Sequence, residues 1–303
     1  MPPDTRVELT NTENLEKLIS SNPSKIRGIL NAENQKLKGY GTGKSRLSLE
    51  QLYLLSKGLR FEWKNNISSF GLEASKHRIK LPENTEISKE LAWLLGFHLT
   101  ENSETPQSFG ICNTEPTLIK RSRDVLSELK IPKEMMKIEV RFTEHRQKEI
   151  ILKQADKYMK GSEIRFRKLS KKSLTKKPLY TLRVNSRLIK EYLKNLETHF
   201  LSNYKNYRIE MLGAFLQGIY DADGWFNRAK KIIVLSQIDK NLINTVFEFL
   251  KRLDIKARKE FWKYRNRYAC VIIYGKNGEN IQKFLRKIGF SHPIKATRVK
   301  NFL

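Results

Sequence analysis

Residues 212 to 226, LGAFLQGIYDADGWF, make an apolar helical pattern that closes on two aspartates and a glycine. An acid is poorly placed there, because the C-terminal end of a helix carries partial negative charge and disfavours a carboxylate by about 0.3 to 1 kcal/mol. A related stretch at 90 to 104, ELAWLLGFHLTENSE, also ends in an acid. Aligning Gly96 with Gly218 pairs Ala92 with Ala214, Leu94 with Leu216, Phe97 with Ile219, Thr100 with Ala222 and Glu101 with Asp223. If the two helices run side by side, Glu101 and Asp223 converge and repel one another. A divalent cation reverses both penalties. Carboxylates together with backbone carbonyls, here those of Thr100 and Ala222, are the oxygen donors that Mg2+ or Ca2+ takes. The chemistry indicated is metal-assisted hydrolysis of a phosphodiester, in which metal activates water and stabilises the attacking and leaving oxygens. Two symmetry-related acids suit two scissile phosphates, one on each strand of a duplex. Asp221, the first acid of the DAD triplet, reads as a capping or structural residue.

The helices that hold these acids carry their own signature. Ala92, Gly96 and Thr100 in one, and Ala214, Gly218 and Ala222 in the other, are four apart and share a helix face. Glycine inside a helix costs about 1 kcal/mol relative to alanine, so its presence in both copies calls for compensation. Close approach of two backbones along a seam of Ala92, Gly96, Ala214 and Gly218 supplies it.

Composition names the partner class. The chain has 303 residues, 59 Lys+Arg against 32 Asp+Glu, and a formal charge of +27, so a polyanion is expected. The longest apolar run, LAWLLGF at 91 to 97, is far too short to span a membrane. The N-terminus has no secretory pattern. With only Cys112 and Cys270 there is neither a disulfide framework nor a zinc site, and an intracellular, reducing location is expected, with an organelle allowed.

The repeat extends beyond the motif helices. FGICNTEPTLIKRSRDVLSELKI at 109 to 131 parallels KIIVLSQIDKNLINTVFEFLKRLDI at 231 to 255, with Glu115 over Asp239 at matching helix starts. SRLIKEYLKNL at 186 to 196 parallels GENIQKFLRKI at 278 to 288, with a basic insertion near 143 to 178 in the first copy. The expected division is therefore a helical N-terminal module at 1 to 86, a first repeat at 87 to 205 and a second at 206 to 303. In the first block Ser48 to Gln51 makes a capping box, and three short basic helices suit a helix-turn-helix module or a plain helical cap. Strands expected at 107–113, 136–142, 163–168, 179–184, 231–236, 257–262 and 268–274 alternate apolar with polar or basic residues, so one face packs on helices and the other meets DNA. Arg141, Arg165, Arg167, Arg183, Arg258, Lys263 and Arg265 are the expected DNA contacts.

LQGIYDADG at 216 to 224 resembles the LAGLIDADG motif of homing endonucleases, and LLGFHLTEN at 94 to 102 resembles it more weakly. IGFSHPIK at 288 to 295 is similar to a late block of that family. The resemblance covers roughly residues 88 to 303. It implies an α+β fold of two αββαββα repeats forming a pseudo-twofold saddle of antiparallel sheets, in a monomer that cuts a long double-stranded DNA site with Mg2+, Mn2+ or Ca2+ substituting for binding. It further implies that Glu101 and Asp223 hold metal, that Asn113 and Gln237 order water, and that Lys295 supplies a basic group, with Lys205 its counterpart. Asn102 replaces the usual glycine, tolerably if the helix ends in a left-handed cap. Thr114 and Ile238 stand where some relatives carry lysine. The alternatives are a regulator that binds DNA without cutting it and a maturase that binds intron RNA.

Overall fold

The computed structural model of the chain describes residues 5–64, 67–72, 79, 85–142, 147–160, 163–168, 177–263, 266–275 and 278–302. Arg265 and parts of the insertion (143–146, 161–162 and 169–176) lie outside the described residues.

The N-terminal block has the three expected helices, α1 (Glu13–Ser21), α2 (Pro23–Leu30) and, after an additional helix α3 (Asn34–Gly41), α4 (Leu49–Leu59). Ser48 caps α4 by accepting from the Gln51 amide at 3.1 Å, while Gln51 Oε1 accepts from the Ser48 amide at 2.9 Å. The block also holds a three-stranded antiparallel sheet, with β1 (Thr5–Leu9) between β2 (Leu47–Ser48) and β3 (Ile67–Leu72). These strands escape a periodicity reading because β2 is two residues long and β3, ISSFGL, has no clean alternation.

The second repeat runs α9 (Ile209–Asp223), β8 (Gly224–Asn227), β9 (Ile232–Gln237), α10 (Lys240–Arg252), β10 (Ala257–Trp262), β11 (Arg267–Ile272) and α11 (Glu279–Lys287), followed by α12 (Pro293–Lys300). Its four strands form an antiparallel sheet in the order β10-β11-β9-β8. The first repeat runs α5 (Lys89–Glu101), β4 (Phe109–Asn113), α6 (Pro116–Glu128), β5 (Met136–Phe142), α7 (Gln147–Met159), β6 (Glu163–Lys168), β7 (Leu179–Val184) and α8 (Arg187–Ser202). Its sheet order is β4-β7-β5-β6.

Here the expected αββαββα pattern needs correction. In place of a strand equivalent to β8, the first repeat has only isolated bridges, Asn102 to Ile111 and Thr105 to Ser108. The insertion instead adds β6 at the opposite edge, parallel to β5. A parallel neighbour requires a crossover connection, and α7 provides it.

The matched helix starts behave alike: Glu115 caps α6 and Asp239 caps α10, each accepting from the amide two residues on. One buried core runs through the N-terminal block and both repeats. Phe200 of α8 stacks on Phe215 of α9, 4.8 Å between centroids, so the closing helix of the first repeat packs on the motif helix of the second. Among the described residues no helix is long and apolar enough to cross a membrane.

Candidate functional site

The site is built on the contact between α5 and α9, which is closer than side chains other than hydrogen would permit. A Cβ on Gly96 would lie 2.0 Å from the carbonyl oxygen of Phe215. One on Gly218 would lie 2.1 Å from the carbonyl oxygen of Trp93 and 2.5 Å from the amide nitrogen of Phe97. The approach is reciprocal, and Ala92 on the same stripe is fully buried. Both helices end at their acids, so the seam carries Glu101 and Asp223 to one end of the pair.

Each acid is held by an amide at the end of a strand in its own repeat. Asn113 Nδ2, at the end of β4, donates to Glu101 Oε1 at 2.7 Å. Gln237 Nε2, at the end of β9, donates to Asp223 Oδ2. The pair is electrostatically coupled: burial, with Asp223 nearby, pushes Glu101 up to about 7, while Asn113 and Lys295 pull the other way. Burial also raises Asp223, against Lys295, Gln237 and Arg267. Two carboxylates drawn out of water near one another hold protons more tightly than usual.

Lys295, on α12, reaches the same end of α9. Its ammonium donates to the carbonyls of Tyr220 at 3.2 Å, Asp221 at 2.7 Å and Ala222 at 2.6 Å, where a cation complements the helix terminus. Burial lowers it to about 8, with Asp221, Asp223 and Glu101 acting to keep it charged. The Ala222 carbonyl expected as a metal donor therefore already accepts from Lys295. The Thr100 hydroxyl turns back to the Phe97 carbonyl at 3.1 Å, leaving only its own carbonyl for that role.

Lys205 does not pair with Lys295. It sits in a 3-10 turn before α9, exposed, at the N-terminal end of the helix whose other end carries Asp223. Fifteen helical residues separate the two ends, about 22 Å at 1.5 Å per residue. The cause is topological: Lys295 comes from α12, which follows α11, whereas α8 passes through that turn straight into α9 and leaves no equivalent helix. If this site hydrolyses phosphodiesters, replacing Lys205 with alanine is accordingly expected to leave the rate within about twofold. Lys295→Met should lower it by about a hundredfold, the scale of a single general acid-base or charge-stabilising group; equal rates in the two variants would reverse these placements.

Asp221 is fully buried and occupied by protein. Its carboxylate accepts from Trp93 Nε1 at 2.8 Å, the Ser291 amide at 2.8 Å, the His292 amide at 2.9 Å and the Ser291 hydroxyl. It ties the first repeat, α9 and the start of α12 together. Arg121 reinforces the same junction: it bonds Glu90, Gln217 and Ser291 and lies 4.0 Å from the centroid of the Trp93 ring.

The helix caps differ from expectation. Asn102 has φ −59 and ψ 128, and Gly224 has φ −73 and ψ 149, so neither is left-handed. Gly224 is required for space instead, since a Cβ there would lie 2.7 Å from the Tyr220 carbonyl oxygen and 2.5 Å from its ring. Asn102 meets no such demand because the chain turns away, its side chain accepting from the Glu104 amide at 2.8 Å.

Arg141, Arg165, Arg167 and Arg183 lie on one face of the first sheet, by the cross-strand pairs Glu139 to Arg165, Arg141 to Arg167 and Lys137 to Arg183. Arg141 is anchored by Thr181 at 3.0 Å and Glu139 at 3.1 Å, and Arg183 by Ser108 at 2.9 Å. Arg258 is on β10, and Lys263 is exposed beyond its end. Arg267, absent from the sequence reading, stands next to the pair Tyr268 to Gln237 and helps hold Asp223 ionised. Its cue was cross-strand register, which one strand alone does not reveal.

The LAGLIDADG-like domain family matches residues 210–289, from α9 to the end of α11. Among solved structures, the chain is similar to I-DmoI in complex with DNA and Ca (17% identity, 72% of this chain and 100% of that one, TM-score 0.46). It is also similar to I-DmoI with DNA and Mn (18%, 67% and 98%, 0.44) and to full-length DUF199/WhiA from Thermatoga maritima (14%, 72% and 62%, 0.44). Comparison with curated protein sequences returns no match. The match to the LAGLIDADG-like domain thus covers the second of the two motif helices, α9, with its glycine seam and its closing acid Asp223.

Proposed function

We propose that the chain is a site-specific double-strand DNA endonuclease of the homing type. The observation that carries this reading is the pair Glu101 and Asp223, half-buried at one end of the α5–α9 seam and each held by an amide of its own repeat. A non-cutting DNA binder has no need of two costly, half-buried acids in a chain of net charge +27.

The residues fit a divalent cation. Both carboxylates are electron-rich and oriented, and among the described residues no group of three or more His, Cys, Asp or Glu side chains is arranged to hold a metal. Mg2+ in particular takes one or two carboxylates and completes its shell with water and substrate phosphate. Glu101 and Asp223 would hold it, with the Thr100 carbonyl as a further donor. An ion held there would supply water activation and charge stabilisation at the attacking and leaving oxygens. Asn113 and Gln237 fix the carboxylate rotamers; Asn113 Oδ1 is itself held by the Glu115 amide at 2.8 Å, and Gln237 Oε1 is placed to orient water. Lys295 and Arg267 place positive charge beside Asp223, where charge builds on a phosphate.

The test is cleavage of duplexes selected by the purified chain from a randomised pool. Mg2+ should produce cuts in both strands, and chelation should stop cutting. Tight binding with no cutting in Mg2+ or Mn2+ would replace this reading with that of a DNA-binding regulator.

A pH effect follows. The folded protein keeps the Glu101 proton up to about pH 7, whereas the unfolded chain loses it near 4.5. Between these values the folded state binds more protons, so this group's contribution to stability falls as pH rises, and the penalty is complete above about 7. A cation relieves that penalty by replacing the proton. Thermal denaturation should thus show a larger rise in Tm with Mg2+ at pH 8 than at pH 5.5, and the difference should shrink in Glu101→Gln, where Asp223, also raised by burial, remains.

A further inference from the structure

The two sheets present unlike faces. In the first, cross-strand rows on the face away from the core read Gly110, Arg183, Lys137, Glu163 and then Cys112, Thr181, Glu139, Arg165, with Arg141 and Arg167 in the next row. In the second, the corresponding rows read Trp225, Val234, Val271, Arg258 and then Ser236, Ala269, Glu260. Val234, Ala269 and Val271 form a hydrophobic cluster separate from the main core, with Trp225, Ile232 and Trp262 packed on it. Every member of this cluster is a strand residue, so it covers the face that helices do not. Trp225 and Trp262 lie 5.9 Å apart, half-buried, the latter donating to Glu260 at 2.8 Å.

This apolar face adjoins the reactive end of the molecule. β8 begins at Gly224, directly after Asp223, and Trp225 is its second residue. Cations edge it, with Arg258 on the Trp225 row and Arg267 opposite Trp262. Val234, Ala269 and Val271 are buried beneath the two half-exposed indoles, and an indole surface offers little to the acceptors of guanine. In the major groove the apolar feature is the thymine methyl group, whereas arginine pairs with guanine O6 and N7.

Building on the reading of the chain as a duplex-DNA endonuclease, we propose that its target site is chemically asymmetric. The second repeat reads thymine methyl groups through Trp225 and Trp262, and the first reads guanine through arginines. Flanking Arg258 and Arg267 hold the phosphates.

The experiment uses the full chain and the duplex it selects. Thymines are replaced by uracil, which lacks only the methyl group, in one half of the site at a time. Uracil in one half should weaken binding about three- to fourfold for each methyl contacted, as expected for one buried methyl-sized group. The same change in the other half should have no effect, and in Trp225→Ser the sensitivity should disappear. The wild-type measurement decides the matter even if that variant folds poorly. Equal or absent uracil effects in the two halves would overturn the proposal while leaving duplex binding intact. Tighter binding of the same sequence as a single strand, with quenched tryptophan fluorescence, would overturn it in favour of stacking on unpaired bases. Failure to select any duplex would remove the endonuclease reading and this inference together.

Discussion

Glu101→Gln and Asp223→Asn are each expected to lower the cleavage rate by about a thousandfold or more while leaving the dissociation constant for target DNA within about threefold. Loss of metal-centred charge stabilisation is worth several kcal/mol, and each 1.36 kcal/mol is tenfold in rate. Binding survives because it draws on a surface spread over both sheets, where phosphate contacts dominate affinity, and because an amide removes a negative charge from beside a phosphate. The hydrogen bonds to the acids also survive: Asn113 and Gln237 donate through their amide nitrogens, and an amide oxygen at 101 or 223 accepts them equally well.

The same substitutions distinguish chemistry from folding. Burial is the main reason that Glu101 and Asp223 resist ionisation, so metal-free Glu101→Gln should melt no lower than the wild type at pH 8. A variant that stays folded, binds DNA and does not cut locates the defect in the reaction. Cutting that persists in both variants would remove these acids from the mechanism.

What was readable in the sequence was what periodicity and repetition write into it. Gly96 and Gly218 stand out because a helical glycine is costly and this one occurs twice at equivalent positions. Asp223 stands out because an acid at a helix C-terminus is equally uneconomical. The strand holding Arg141 alternates cleanly over seven residues, and those holding Asn113, Arg183 and Gln237, richer in apolar residues, also fall on the expected segments. Elements fixed by tertiary context escaped. β8 is four residues long and is stabilised by pairing with β9. The parallel placement of β6 depends on the crossover through α7. Lys205, which the resemblance offers as the counterpart of Lys295, lies at the other end of α9 because α12 has no twin in the first repeat. Arg121, bonded to Glu90, Gln217 and Ser291 across the repeat junction, has no local pattern at all.

Gly218→Ala should produce the largest loss of stability among conservative substitutions, and it tests whether the seam is what positions the acids. On intrinsic propensity alone, alanine would stabilise the helix by about 1 kcal/mol. Gly28 supplies the control: it lies exposed in α2, a Cβ there would meet nothing within 4 Å, and Gly28→Ala is expected to be neutral or stabilising by up to about 1 kcal/mol. At Gly218 the added carbon would fall 2.1 Å from one backbone oxygen and 2.5 Å from a backbone nitrogen, neither of which can rotate away as a side chain can. The helices must separate by about 1 Å to restore contact distance, against a close-packed core. Overpacking of this kind costs about 1 to 3 kcal/mol and sometimes more, enough to outweigh the propensity gain and to lower Tm by several degrees at about 2 to 4 °C per kcal/mol. Because Glu101 and Asp223 end the two helices, the same displacement moves one carboxylate relative to the other, and misplacement on the scale of 1 Å can cost about a hundredfold in rate. Cleavage should therefore fall even at temperatures where Gly218→Ala remains folded. A variant with wild-type Tm and rate would show that the backbones can part without consequence, and the seam would then be packing alone.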